Sequence, residues 1–228
     1  MNRNDAAAIA THLETAISQL SLALREAQAR LDPAVLEQFK HSIGLQIGKL
    51  TAGVRPLMKA SAFADRVLKV NHAGENGAIH IYTAQILIAR ITAPAMVLEL
   101  SEFKAHEEKH REIFWLELQR RGVRRCRSYG LCALGGFSLG LITGLFGRRA
   151  IAATTAAVER VVLGHLEQQL LALNGKDDAA AAAIAKIVDE ERQHLAQSES
   201  HLSTGLFWPK VLTPIVAVAA AVYLWLKQ

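Results

Sequence analysis

Three residues, Glu75, Glu107 and His110, recur 84 positions later as Glu159, Glu191 and His194. Each half supplies a lone Glu and, 32 residues on, a Glu-x-x-His pair. Carboxylates and imidazoles in that proportion are the ligands of a carboxylate-bridged pair of divalent cations, offered by the inward faces of a four-helix bundle. The chain contains two Glu-x-x-His spacings, against about 0.6 expected by chance, and both carry the upstream Glu at the same distance. Any one of the six, taken alone, reads equally well as a surface or core-flanking residue. The repeated set does not.

The spacing dictates the elements that must carry it. Residues i and i+3 share a helix face, so Glu107 with His110, and Glu191 with His194, reach one point from one side. Midway between Glu75 and Glu107 lies Thr92-Ala93-Pro94, and midway between Glu159 and Glu191 lies Asn174-Gly175-Lys176. Both are helix-stop and turn signals. Each half is therefore expected to be an antiparallel helical hairpin whose ligand levels meet near mid-height. The expected bundle helices run over about 64 to 91, 94 to 121, 150 to 173 and 178 to 204, with no strand signal.

Apolar periodicity turns the ligands inward. Ile79, Tyr82 and Ile86 share the stripe of Glu75; Leu100, Phe103 and Phe114 that of Glu107 and His110; Ile184 and Ile187 that of Glu191. Four carboxylates on core faces are severely penalised unless compensated. Two divalent cations cancel four Glu charges and leave both imidazoles neutral.

At 228 residues, 51% of them hydrophobic, the chain is long enough for one domain with an appendage. Its net charge of +5 is unevenly spread. Arg120, Arg121, Arg124, Arg125 and Arg127 precede an uncharged, Gly-rich run from Leu131 to Gly147, and Arg148 and Arg149 follow it. A second uncharged run extends from Val211 to Leu226. Both are marginal for spanning a bilayer and suited to lying in its interface; an apolar stretch fenced by arginines fits an anionic membrane surface. No nucleic-acid partner is expected, because no aromatic interleaving or recognition motif accompanies the arginines. Cys126 and Cys132 lack zinc-type spacing and suggest no disulfide framework, and the N-terminus reads as neither a secretory signal nor a transit peptide.

Upstream, Ile9, Leu13, Ile17, Leu20 and Leu24 fall at helical spacing, and Asp32-Pro33 offers a cap and first-turn proline for a second helix carrying Leu36, Phe39, Ile43, Ile47 and Leu50. Residues 1 to 60 thus read as an N-terminal helical hairpin, and 64 to 228 as the metal-binding domain. That domain includes a membrane-associating crossover (128 to 149) and an apolar C-terminal helix (207 to 227). His12 and His41 in the appendage read as packing or surface residues.

The stretch from Asp65 to Glu75, with Asn71-His72-Ala73-Gly74-Glu75 at its end, then Gly77-Ala78 and Ile81-Tyr82, resembles the first ligand helix of the demethoxyubiquinone hydroxylase family of ubiquinone biosynthesis. The resemblance continues through His106-Glu107, His110, Gly136-Phe137, Leu139-Gly140, Ala157-Val158-Glu159, His165, Gln169, Asp189-Glu190-Glu191 and His194, and covers about residues 64 to 226. It implies an all-α, ferritin-like di-iron monooxygenase that inserts one oxygen atom of O₂ into the ring of a polyprenylated benzoquinone. One iron would be held by Glu75, Glu107 and His110 and the other by Glu159, Glu191 and His194, with Glu107 and Glu191 bridging. Electrons would come from NADH or a redox partner. The partners implied are the quinone, an anionic membrane surface, other ubiquinone-biosynthesis proteins and further copies of the chain. The location implied is peripheral, on the cytoplasmic face of a bacterial inner membrane. The chain departs from the family pattern at Asn76, where an apolar residue is usual, at His80, where Arg is common, at Arg160, where a second acid is frequent, and at Leu166, where Tyr usually follows His165.

Other candidates carry less signal. Tyr82, two turns from Glu75 on one face, and His165, six residues past Glu159, are the additional candidate catalytic residues, and His72 a candidate partner of a ligand. His106 points about 100° from Glu107 and reads as structural. No G-x-G-x-x-G follows a strand, so no built-in dinucleotide fold is expected. Two rival classes keep the ligand set: a ferritin-like iron-oxidising protein, which needs no apolar crossover, and a non-enzymatic quinone- or lipid-binding module.

Overall fold

The computed structural model describes residues 32–202, 207–213 and 216, with the isolated positions 12 and 15. Every regular element among them is helical. Helix α1 spans Pro33–Thr92; a 3₁₀ turn at Pro94–Met96 leads into α2 (Val97–Arg120), followed by α3 (Tyr129–Leu145), α4 (Arg148–Leu173), α5 (Asp178–Ala185) and α6 (Val188–Ser200). Residues 65–174 with 178–228 form one compact unit, and residues 1–64 with 175–177 another. The helix expected over 5 to 31 falls outside the described residues apart from 12 and 15, as does most of the expected C-terminal helix, of which 207–213 and 216 are helical.

Two element boundaries differ from the expectation. The break anticipated near residue 60 is absent: α1 starts at Pro33, where Ala34 N donates to Asp32 Oδ1 at 2.8 Å, and runs 60 residues to Thr92. Gly53 and Pro56 are the breaker-type residues between 51 and 63, and neither ends the helix. Positive φ is confined, among the described residues, to Gly122, Gly147 and Gly175, and Pro56 removes one amide donor without ending the helix. Conversely, the single helix expected over 178 to 204 is divided by a turn at Lys186 and Ile187. There Ile187 N bonds back to Ile184 O at 3.1 Å, a three-residue spacing that tightens the chain. Ile184, Ile187, Glu191 and His194 all end up buried on the inner face.

The turns are built by glycine where handedness requires it. Gly122 (φ 62°) closes α2, with Gly122 N donating to Gln119 O and Val123 N to Leu118 O, both at 2.9 Å. That paired pattern satisfies the last carbonyls of the helix. Gly175 (φ 67°) sits in the turn between α4 and α5.

The Gly-rich crossover is itself a helix, and its small residues set how close it comes to α1. A Cβ at Gly136 would stand 2.2 Å from Gly77 O, and one at Gly140 2.3 Å from Ile81 O. Gln85 Nε2 donates to Thr143 Oγ1 at 3.1 Å, and Thr92 Oγ1 to Gly144 O at 2.7 Å, so α3 is fastened along the ligand helix. The opposite side of α3 exposes Leu131, Leu134, Ile142 and Leu145, with Phe146 and Phe207 also exposed. No helix among the described residues is long and apolar enough to cross a membrane.

Between the hairpins, Ala78, Tyr82, Ala89, Ala93, Met96, Leu100, Phe103, Ile151 and Ala152 make a continuous buried cluster. α4 packs along α6 and against α3 and α5, and α2 packs against α5. A reciprocal amide pair, Asn71 with Gln169 at 2.7 and 3.2 Å, ties α1 to α4.

Candidate metal centre

Each of the four elements expected to present a ligand carries its candidate on the buried face. α1 contributes Glu75, α2 Glu107 and His110, α4 Glu159, and α6 Glu191 and His194. All six are at most 4% exposed. Their ligand atoms form two groups, each with every atom within 4.8 Å of the others: Glu75, Glu107, His110 and Glu191 in one, and Glu107, Glu159, Glu191 and His194 in the other. Glu107 and Glu191 belong to both.

The donor set fits two divalent cations on its own chemistry. Glu107 Oε1, both carboxylate oxygens of Glu191, His110 Nδ1 and His194 Nδ1 are buried without a hydrogen bond. His110 Nδ1 stands 2.9 Å from Glu191 Oε1, yet neither atom has a partner in acceptable hydrogen-bond geometry. Bare acceptors facing one another in a dry core are costly; cations between them turn the same arrangement into coordination.

Without metal the charges compete for protons. Burial, then the charges of Glu107 and Glu191, push the Glu75 carboxyl well above its usual range; burial, then Glu191 and Glu107, do the same to Glu159. Burial acts on Glu107 in that direction too, but His110 and His194 beside it outweigh it and hold the carboxyl down at about 2. His110 is pushed up to about 11: burial opposes its charge, and the adjacent Glu107 and Glu191 prevail.

Around the ligands, some expectations hold geometrically and others change. Tyr82, fully buried, donates from its hydroxyl to Glu159 Oε1 at 2.5 Å across the bundle. His165 is not brought to the cluster: six residues past Glu159 it lies about 120° around α4, and it forms no hydrogen bond among the described residues. His72 does not face the ligands as a partner either. It stacks on Trp115 and Tyr129, with ring centroids 5.4 and 4.9 Å away. His106, which the sequence reads as structural, lies with its Nδ1 2.9 Å from Nε2 of His194. The 100° turn away from Glu107 is what aims it at the ligand on α6.

Glu190 also stands against a candidate ligand, which the helical pattern around it does not indicate. Its Oε2 lies 2.9 Å from Nε2 of His110, so the ligand histidine of α2 is backed from α6 as that of α6 is backed from α2. A signal for both existed: shifted by 84, His106 falls on Glu190, each immediately before a bridging Glu. The same shift carries Tyr82 onto Leu166, which is buried but has no hydroxyl to donate.

The departures from the family pattern serve packing. Asn76 Nδ2 donates to Tyr129 O at 3.0 Å and Asn76 Oδ1 accepts from Arg111 Nη1 at 3.3 Å, joining α1, α2 and the start of α3. His80 Nδ1 meets the Asn76 carbonyl at 2.7 Å on its own helix, and Arg160 pairs with Glu199. Near the start of α3, Arg124, Arg125 and Arg127 border a cavity of about 710 Å³ with Trp115 and Tyr129, and Arg125 sits 4.8 Å above the Tyr129 ring.

Comparison with known proteins gives a consistent neighbourhood. The family model described as "Ubiquinone biosynthesis protein COQ7" matches residues 62–227. The chain is 30% identical over 166 residues to the mitochondrial NADPH-dependent 3-demethoxyubiquinone 3-hydroxylase of Dictyostelium discoideum, covering 72% of this chain and 76% of that protein. It is 34% identical over 135 residues to the 3-demethoxyubiquinol 3-hydroxylase of Variovorax paradoxus, covering 59% of this chain and 64% of that protein. The match to the Rhodospirillum rubrum 3-demethoxyubiquinol 3-hydroxylase is also 34% identical over 135 residues, with 59% and 63% covered. Less than two thirds of each of these two bacterial relatives is spanned.

Proposed function

The chain belongs to the family of ubiquinone biosynthesis protein COQ7, and on that footing we propose that it is a monooxygenase of ubiquinone biosynthesis, hydroxylating the ring of a polyprenylated demethoxyubiquinone-type precursor as quinone or quinol. The observation that carries this reading is the buried set of four carboxylates and two imidazoles, grouped around a shared Glu107 and Glu191, in a chain of this family. These groups would hold two iron ions, which would supply the O₂ activation needed to hydroxylate the electron-rich ring. Glu75 and His110 complete one position, Glu159 and His194 the other.

The surrounding residues hold that set in place. Tyr82 keeps its proton, because burial and then the charges of Glu159 and Glu107 push its phenol well above the ordinary range, so it acts as the donor that orients Glu159. Phe103 and Leu166 supply apolar, water-excluding surface around the ligands. The two electrons come from a reduced pyridine nucleotide or a protein redox partner; a printed name such as that of the Dictyostelium relative, "NADPH-dependent", supports the former.

The substrate reaches the site from lipid. The exposed apolar side of α3, flanked by Arg124, Arg125 and Arg127 at one end and Arg148 and Arg149 at the other, suits peripheral docking on an anionic membrane, at the cytoplasmic face of a bacterial inner membrane. The arginine-bordered cavity beside Tyr129 suits a lipid phosphate. Residues 64–228 form the catalytic domain in this reading, with 1–60 as its appendage. Incubating iron-reconstituted protein with a short-chain demethoxyquinone, NADPH or NADH, and O₂ is expected to yield a product heavier by one oxygen atom. No such product, with either nucleotide or with a chemical reductant, would overturn the proposal.

A further inference from the structure

The two halves of the centre match in their ligands and differ in what stands behind them. Both ligand histidines turn Nδ1 toward the shared carboxylates and Nε2 outward. A histidine that coordinates through Nδ1 carries its proton on Nε2 and donates it. For His110 the acceptor is the Glu190 carboxylate at 2.9 Å; for His194 it is the His106 ring at the same distance, nearly coplanar at 4°. A carboxylate stabilises the partial positive charge that a metal-bound imidazole develops and raises its donor strength, whereas a neutral imidazole offers only a dipole.

The terminal carboxylates differ in the same sense. Glu159 gives up part of its charge to the Tyr82 hydroxyl at 2.5 Å, whereas Leu166, onto which the 84-residue shift carries Tyr82, has no hydroxyl to offer a carboxylate. Of the shared carboxylates, Glu191 lies closer to His110 than to His194, 2.9 against 3.9 Å from Nδ1, while Glu107 is nearly equidistant at 3.6 and 3.5 Å. Three independent features therefore favour one position.

Resting on the metal-binding reading above, we propose that the two metal positions are unequal: the one completed by Glu75 and His110 fills first and holds its ion more tightly, with Glu190 as the positioning residue that sets the difference. Anaerobic titration of metal-free, full-length protein with Co²⁺, followed through its visible absorption, tests this without turnover. Two steps are expected, the first at least about 10-fold tighter than the second. Glu190→Gln should weaken the first step about 10-fold or more and leave the second within about twofold, merging the two. Glu190→Asp should restore the separation in part, and His106→Glu should tighten the second step. Glu190 is 43% exposed in its side chain, so its replacement leaves the core intact, and unchanged circular dichroism would verify this. Two equal steps in the wild type, or equal weakening of both by Glu190→Gln, would overturn the inequality and leave the metal reading standing. Failure to bind any ion would overturn both.

Discussion

Tyr82 on α1 and Glu159 on α4, 77 positions apart, are joined by a 2.5 Å hydrogen bond inside the bundle. It connects a ligand of the second half to the helix that carries the first ligand of the other. Tyr82→Phe leaves Glu159 Oε1 buried without its donor, at a cost of about 1–3 kcal/mol in metal-free protein. Thermal melts should show the loss without metal and a much smaller one with two ions bound. A metal-free variant as stable as wild type would refute the structural weight given to this bond.

Glu191 serves both ligand groups and is completely buried. Glu191→Ala should therefore lose both ions together, and hydroxylation with them. The check is metal content per folded chain alongside turnover. Full hydroxylation by the variant would show the bridging assignment to be wrong.

The metal-free protein should lose stability as pH rises above about 6.5. Glu75 and Glu159 have folded-state pKa values raised well above 4.5, and His110 is raised to about 11 from 6.5. A group with a raised folded pKa stabilises below its unfolded value and loses that contribution as pH climbs through its folded value. Acid adds an opposite effect: burial, then Arg111 and Arg125, hold His72 down at about 4, so that it destabilises the fold as pH falls from 6.5 toward 4. Above 6.5 His72 is neutral in both states and the cluster dominates. Metal uptake should release protons and raise the melting temperature more at pH 8.5 than at pH 6.5; Glu159→Gln should flatten the metal-free profile. A melting temperature rising with pH in metal-free wild type would contradict the cluster's protonation.

Adjacent glycines of α3 should respond oppositely to the same change. Gly136→Ala places a methyl 2.2 Å from Gly77 O and must push α3 off α1, costing about 1–3 kcal/mol or more. Gly135→Ala meets nothing within 4 Å and should gain about 0.5–1 kcal/mol of helix propensity. Chemical denaturation of the two variants decides it; similar effects from both would disprove the close approach.

Membrane attachment should depend on charge and on the apolar side of α3. Replacing Arg124 and Arg127 by Gln should weaken binding to anionic vesicles by about 30-fold, at about 1 kcal/mol per charge, with a shallower salt dependence. Leu134→Asp, on the exposed side, should weaken binding to anionic and neutral vesicles alike. Equal affinity of the wild type for both vesicle types would remove the electrostatic part of the proposal.

The convergence of the six candidate ligands, the two hairpin turns and the apolar faces around them were legible in the sequence, because each depends on relations within one helix. Glu107 and His110 share a face through helical geometry alone, and Thr92-Ala93-Pro94 and Asn174-Gly175 end helices by local conformational preference. The resemblance to known hydroxylases added a reaction to that frame. Pairings between helices depend on their register and rotation, which relations within one helix do not fix. His106 backs His194, and Glu190 backs His110, across 88 and 80 positions. Tyr82 meets Glu159, and Gly136 admits the backbone of Gly77. The division of the last bundle helix at Lys186 and Ile187 lies in a run of good helix formers, with no stop signal to betray it. Packing places Ile184, Ile187, Glu191 and His194 on one inner face, and that burial outweighs the local preference for a single unbroken helix.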